Sequence, residues 1–154
     1  MTPKKVAVLM GSASDAERMA GAVATLKEFG LEPDERVLSA HRHPDAVAEF
    51  ARGARGNGYA AIICGAGMAA ALPGVVAAHT TLPVVGVPLS GSALNGVDAL
   101  YATVQMPKGV PVAAVAIDNS TNAALLVVAM LAITDDVLAA KLDGYRMAWQ
   151  EQAK

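Results

Sequence analysis

Only one of the 154 residues is a cysteine. It lies inside the apolar run Ala60-Ala61-Ile62-Ile63-Cys64, so it cannot form an internal disulfide and reads as an inert core residue rather than a nucleophile. No run of lysine or arginine occurs, and the net charge is −2, which argues against a nucleic-acid-binding surface but leaves room for a tightly localised phosphate site. Although 54% of the residues are hydrophobic, no uninterrupted apolar run is long enough to cross a bilayer, so no membrane partner is expected. The opening Met1-Thr2-Pro3-Lys4-Lys5 leads into a strand-like run without a long apolar leader and cleavage site, and the expected location is the cytoplasm. No Cys/His/Asp/Glu cluster has zinc-ligand spacing, so no metal is expected. Neither a Walker loop, nor the dinucleotide glycine pattern, nor a Gly-x-Ser-x-Gly elbow is found. A Pro/Gly/Ser linker, a low-complexity tract and a shift of composition are also missing, which predicts one domain over residues 1–154.

What is present is an alternation. Val6–Met10 reads as a first strand, followed by Gly11-Ser12-Ala13-Ser14-Asp15 and a helix carrying Met19, Val23 and Leu26, which Ser14 or Asp15 can cap and Gly30 can end. Glu35–Leu38 is a second strand, and Pro44 to about Arg55 a helix with Val47, Phe50, Ala51 and Ala54 on one face. Gly56-Asn57-Gly58 breaks it. Tyr59–Cys64 is a third strand, the stretch from Gly65 to Gly74 a glycine-rich turn into a helix through Ala78, and Pro83–Val87 a fourth strand closed by Pro88. A small-residue loop, Leu89–Asn95, precedes a helix from Gly96 to Gln105 with Val97, Leu100, Tyr101 and Val104 as its apolar stripe. Val110–Ile117 is a fifth strand. Asn122–Ile133 is a helix so apolar that it must be buried on most sides, and a last helix at about 135–151 has Trp149 available to dock on a neighbouring subunit. Strands alternating with helices imply crossover connections, hence a doubly wound parallel sheet covered on both faces. Abundant Ala and Val in short segments also fit helices that pack against other subunits, a weak sign of an oligomer.

Ligands of such sheets bind beyond the carboxyl ends of the strands, where three of these loops would meet. Chemistry is densest in Ser39-Ala40-His41-Arg42-His43-Pro44-Asp45. Arg42 offers a fork of donors for a phosphate or carboxylate, and His41 is a residue type able to give and take a proton near neutral pH. Solvated histidines before a helix-starting proline are the plainer reading. Gly11 to Asp15 sets hydroxyls at a helix N-terminus, suited to a phosphate, with Asp15 suited to ribose hydroxyls; an ordinary helix cap is the alternative. The Gly65-Ala66-Gly67-Met68-Ala69-Ala70 loop lets backbone approach a small uncharged ligand, or else serves close helix–strand packing. His79 reads as surface or interface.

Taken together, Gly11-Ser12-Ala13-Ser14-Asp15, Ser39-Ala40-His41-Arg42, Gly65-Ala66-Gly67 with Leu72-Pro73-Gly74, Val104–Pro111 and Ala123-Ala124-Leu125-Leu126 resemble the N5-carboxyaminoimidazole ribonucleotide mutase family of purine biosynthesis, in order and spacing from about Val6 to Leu142. The resemblance implies a three-layer, flavodoxin-like five-stranded α/β subunit with an additional C-terminal helix. It implies a homo-octamer with active sites at subunit contacts, and a carboxylate transfer on a ribonucleotide without metal, ATP or biotin, hence no cofactor. In it His41 is the acid/base, Ser14 and Arg42 hold the phosphate, and Asp15 holds the ribose hydroxyls. Ser12, Ser39 and the third-loop backbone hold the base and carboxylate, and Gly11, Ala40, Gly65, Ala66, Gly67, Met68, Ala69, Ala70 and Leu72 complete the substrate site. The chain departs from the family's common pattern at Met68 (a glycine), Ala71 (a histidine), Ala16 (an aromatic residue) and His43 (a threonine). The sister carboxylase class carries lysine where Arg42 stands and an Arg-Ser-Asn segment in the third loop, and neither is present. Another ribonucleotide carboxylase or decarboxylase, and a noncatalytic nucleotide-binding module, are the competing expectations.

Overall fold

The computed structural model describes residues 2–153. Five parallel strands, β1 (Lys5–Met10), β2 (Glu32–Val37), β3 (Tyr59–Gly67), β4 (Val84–Leu89) and β5 (Ala113–Ala114), form one sheet in the order β2-β1-β3-β4-β5. The chain runs from β1 outward to β2 and then crosses back to β3, so the sheet reverses its direction of growth between β1 and β3. That is the position at which loops on opposite sides splay apart and leave a crevice.

Helices α1 (Ala16–Glu28) and α5 (Ser120–Ala132) cover one face, with α6 (Asp136–Gln152) outside them. The other face carries α2 (Pro44–Gly53), α3 (Ala71–His79) and α4 (Val97–Val104). Alternate residues of β1 feed the two cores: Val6, Val8 and Met10 face α1 and α5, while Ala7 and Leu9 face α2 and α3. Both cores are closed by close approach. A Cβ on Gly65 would collide with the Met19 side chain, and one on Gly86 with Thr103. Gly30, at φ +80, ends α1; its N–H reaches the Lys27 carbonyl and the Leu31 N–H reaches that of Leu26, a pairing that ties off the last turn.

Element order is as the sequence predicts, but several boundaries move. β2 begins at Glu32 rather than Glu35, because its backbone pairs with β1 from Lys5 onward; Leu38 lies beyond it. Gly65 to Gly67 belong to β3 instead of a turn, since Gly65, Ala66 and Gly67 pair with Val87, Pro88 and Leu89. Pro88 lies within β4 instead of closing it. The Pro88 carbonyl, and with it the side of the strand where an N–H would point, faces away from β3 toward the Asp118 N–H, where β5 has already ended, so no ladder bond is lost. β5 shrinks to two residues between Pro111 and the turn at Asp118.

The helices differ too. α2 stops at Gly53, α5 starts at Ser120 behind the Asn119 cap, and α6 starts at Asp136 behind the Asp135 cap. The stripe on α4 faces outward, with Val97, Tyr101 and Val104 exposed while Ala99 and Thr103 take the buried positions. α5 buries Ala123, Ala124, Val127 and Val128, but Leu125, Leu126, Met130 and Leu131 stay half-buried, so it is not enclosed on most sides within one chain. On α6 only Leu138 is buried. Among the described residues no helix is long and apolar enough to cross a membrane.

Candidate active site

Four loops leave the carboxyl ends of β1 to β4 and enclose a cavity of about 420 Å³. From the first come Gly11, Ser12, Ser14 and Asp15. The Ser12 hydroxyl accepts a hydrogen bond from the Ser14 N–H at 3.3 Å and lies 2.9 Å from the Ser14 hydroxyl. Ser12 thus caps a single 3-10 turn (Ala13–Asp15), and Asp15, although it stands at the N-cap of α1, makes no side-chain cap bond. The sequence expectation of a Ser14 or Asp15 cap is therefore corrected: a tight turn before α1 transfers the capping to Ser12 and leaves the Asp15 carboxylate facing the cavity. Partial burial raises the Asp15 pKa, against the opposing effects of the Arg18 guanidinium and a backbone hydrogen bond from Ser12.

The second loop brings Ser39, Ala40, His41 and Arg42. Ser39 organises it: its carbonyl accepts from the His43 N–H at 2.8 Å, its N–H donates to His43 Nδ1 at 3.2 Å, and its hydroxyl accepts from the Arg42 N–H at 3.2 Å. The backbone is thereby held, while the His41 imidazole and the Arg42 guanidinium are exposed and free to meet a ligand. Pro44 then starts α2 at its first position, where a missing N–H costs nothing.

The third loop supplies Ala66, Gly67, Met68, Ala70, Ala71 and Leu72. Met68 at φ +52 and Ala70 at φ +41 occupy the left-handed region, where a side chain costs about 1–2 kcal/mol. Strain of this kind gathers where a loop's shape is held for a ligand. Met68 is 66% exposed, so its side chain is not holding the loop by packing.

Of the residues expected at the site, Gly65 and Ala69 do not line the cavity. Gly65 is buried in β3 against Met19, and Ala69 is exposed. Arg18, Ser90, Gly91 and Ser92 line it unforeseen. Each had a signal. Arg18 lies three residues after Asp15, hence on the same helical face, and Ser90-Gly91-Ser92 follows β4 as the other loops follow their strands. Among the described residues no group of three or more His, Cys, Asp or Glu is arranged to hold a metal ion. The arrangement offers a proton donor and acceptor, a guanidinium fork and hydroxyls around a pocket with an Ala/Gly wall, which suits an anionic small molecule.

Residues 5–152 match a family model described as AIR carboxylase. The chain is 51% identical over 148 residues to the N5-carboxyaminoimidazole ribonucleotide mutase of Brucella melitensis, covering 95% of this chain and 91% of that protein. It is 54% identical over 138 residues to the mutase of the same name from Aquifex aeolicus, covering 90% and 83%. It is also 49% identical over 152 residues to the phosphoribosylaminoimidazole carboxylase of Saccharomyces cerevisiae, covering 99% of this chain but 27% of that protein. The crystal structure of Treponema denticola PurE is similar with a TM-score of 0.88 at 27% identity, covering 97% of this chain and 93% of that one.

Proposed function

The chain belongs to the AIR carboxylase family, and on that premise we propose that it is an N5-carboxyaminoimidazole ribonucleotide mutase of purine biosynthesis, an isomerase with His41 as its acid/base. The observation that carries the reading is the meeting of His41 and Arg42 with Ser12, Ser14, Asp15 and a wall of Ala66, Gly67, Met68, Ala70, Ala71 and Leu72 around one cavity.

Arg42 and Ser14 hold the phosphate, Asp15 accepts from the ribose hydroxyls, and Ser12, Ser39 and the third-loop backbone hold the base and carboxylate. The carbamate nitrogen–carbon bond breaks, carbon dioxide leaves, and the nitrogen takes a proton from His41. The ring carbon then attacks the retained carbon dioxide, and its displaced proton passes back to His41, so one imidazole returns to its starting state. A poorly hydrated wall favours loss of carbon dioxide from an anionic carbamate and keeps the freed molecule near the carbon it must reach. Met68 and Ala71 fit this scheme as positioning changes. Met68 lines the cavity with a largely exposed side chain, and Ala71 leaves a small residue on the wall while His41 stays in place.

The test supplies carboxyaminoimidazole ribonucleotide at low bicarbonate without ATP and, separately, the uncarboxylated ribonucleotide at saturating bicarbonate. Carbon-carboxylated product in the first assay is expected. Efficient turnover only in the second makes the protein a carboxylase, and failure in both leaves a binding module or another substrate.

The same reading includes a single-domain subunit in a cytoplasmic homo-octamer, with α6 packing on a neighbour. Exposed apolar side chains on three helical segments support the assembly: Leu94 and Tyr101 at α4, Ile133 after α5, and Met147 and Trp149 on α6. Sedimentation showing a stable monomer at micromolar concentration would overturn it.

A further inference from the structure

Among the described residues, Met68, Ala70, Asn95 and Asp118 hold a left-handed backbone while carrying a side chain, and for three of them an offset is visible. Ala70 buries its methyl group in the core, at 4% exposure. Asn95 and Asp118 are of residue types that visit this region routinely. Asp118 also accepts hydrogen bonds from the Ser90 N–H (2.9 Å) and from the Ser90 hydroxyl, and its Oδ1 lies 3.7 Å from Arg18 Nε. Met68, at φ +52, has no such offset, since its side chain is 66% exposed and carries no polar group to bond the backbone.

The turn itself calls for glycine. The Ala70 N–H donates to the Gly67 carbonyl at 2.9 Å, so Met68 and Ala69 are the central pair of a tight turn, and only the first of them has a positive φ. That is the φ pattern of a type II′ turn, whose first central position glycine dominates. Methionine is thus kept where glycine would relieve the backbone, and packing within the subunit does not account for it.

What the side chain does border is the cavity. Met68 and Leu72 are the large apolar side chains that line it, and Leu72, at 2% exposure, is fixed in the core. Of the two, only Met68 is free to move against a ligand, and an unbranched thioether with three rotatable bonds adapts to irregular apolar surfaces. Ala66, Gly67, Ala70 and Ala71 beside it present little bulk, so Met68 holds the bulk available to cover this wall. The mutase chemistry needs a cover. Between the breaking of the carbamate nitrogen–carbon bond and the making of the carbon–carbon bond, carbon dioxide is attached to nothing. It carries no charge for Arg42 or any other ion to hold, so enclosure retains it rather than a specific bond.

Resting on the mutase reading, in which the third-loop backbone holds the base and carboxylate, we propose that Met68 is a retention residue. Its side chain closes over the third-loop wall once the ribonucleotide is bound and keeps the freed carbon dioxide beside the ring carbon until the new bond forms. The left-handed backbone at Met68 is then the cost of carrying a long apolar side chain on this wall.

The test follows the carboxylate carbon itself. Carboxyaminoimidazole ribonucleotide with an isotopically labelled carboxylate is mixed with excess enzyme in unlabelled bicarbonate. One turnover, corrected for loss without enzyme, is divided by mass spectrometry into labelled product, unlabelled product and uncarboxylated ribonucleotide. The variants are Met68→Gly, which suits the turn, Met68→Leu, which keeps apolar bulk, and Met68→Gln, which keeps length but is hydrated. Wild type and Met68→Leu should pass nearly all of the label to product. Met68→Gly and Met68→Gln should each lose label to the medium about 5- to 10-fold more often per turnover, whatever happens to the rate. Equal retention of label in wild type and all three variants, or altered sedimentation with retention unchanged, overturns the assignment alone. A wild type that forms no product, or only unlabelled product, overturns the mutase reading and this assignment with it.

Discussion

The two edges of the one sheet are built by different rules. At the amino edge, the turns that need a left-handed residue use glycine: Gly30 after α1, Gly58 before β3 and Gly109 before β5. Charges there are paired or stacked, with Lys4 Nζ 3.0 Å from Asp135, Lys5 Nζ 4.5 Å from the Tyr59 ring centre, and the Tyr59 hydroxyl donating to Asp34. At the carboxyl edge glycine serves only at Gly91 and Gly96, and Met68, Ala70, Asn95 and Asp118 hold left-handed conformations despite their side chains, while His41 and Arg42 stand exposed. No buried side-chain polar atom among the described residues lacks a hydrogen-bond partner, so the strain at the carboxyl edge lies in backbone conformation, not in unmet bonds. One edge is relaxed and holds the sheet together; the other is held in place by that sheet and keeps its reactive groups free.

The contrast is broken most severely at His41. His41→Asn should lower turnover about 10²–10⁴-fold, the range of a positioned acid/base, while calorimetry finds ribonucleotide binding nearly unchanged. Turnover near wild type with normal binding would remove His41 from that role. Arg42→Ala comes next. It should weaken ribonucleotide binding by about 1.5–3 kcal/mol, the scale of a charge-assisted bond. It should leave the melting temperature unmoved, since the bond Arg42 makes to the Ser39 hydroxyl comes from its backbone N–H, which the substitution keeps. A large fall in stability would mean that the carboxyl edge also holds the fold.

The same contrast explains what was legible in the sequence. Strands and helices of the scaffold show because burial on both faces imposes apolar runs and helical spacing, and the Ser39–Arg42 motif shows because its residue types are rare side by side. Arg18 and Ser90 were missed because their placement at the cavity depends on Asp118, a residue about a hundred positions from Arg18 in the chain. Gly65–Gly67 reads as a turn in the sequence because glycine usually breaks a strand, yet parallel partners on both sides and the Met19 side chain require glycine at Gly65. Only tertiary contact tells those two uses of glycine apart. The outward stripe on α4 misleads for a related reason: periodicity marks an apolar face without saying which chain covers it.

Exchanging the rules of the two edges tests the comparison at a smaller scale. Gly58 has φ +82 and open space around it, so Gly58→Ala carries a backbone cost alone and should destabilise the fold by about 1–2 kcal/mol. Met68→Gly is the reverse exchange. Release of left-handed strain, less the entropy that glycine adds to the unfolded chain, should leave a gain of about 0.5–1 kcal/mol. If strain at the loop serves the ligand, that gain comes with weaker binding. Denaturant midpoints and ribonucleotide affinity for the two variants decide it, and a destabilised Met68→Gly would show that the methionine packs rather than strains.

The smallest effect is a difference of sign between two carboxylates. At the amino edge, the hydrogen bond from Lys4, followed by that from the Leu138 N–H, holds Asp135 below the ordinary carboxylate range. A lowered value means that its contribution is complete above the unfolded value, about 3.9, and is lost as pH falls through the folded one. At the carboxyl edge Asp15 is raised by burial, so what it contributes is complete below about pH 3.9 and is lost as pH rises through its higher folded value. Urea midpoints from about pH 3 to about pH 7 should therefore diverge. Asp135→Asn should be less stable than wild type near neutrality and equal to it in acid, whereas Asp15→Asn should gain on wild type as pH rises. Two curves of the same sign would mean that the Asp15 charge is as well paired as that of Asp135, and the carboxyl edge would then have no unmet charge to offer a ligand's hydroxyls.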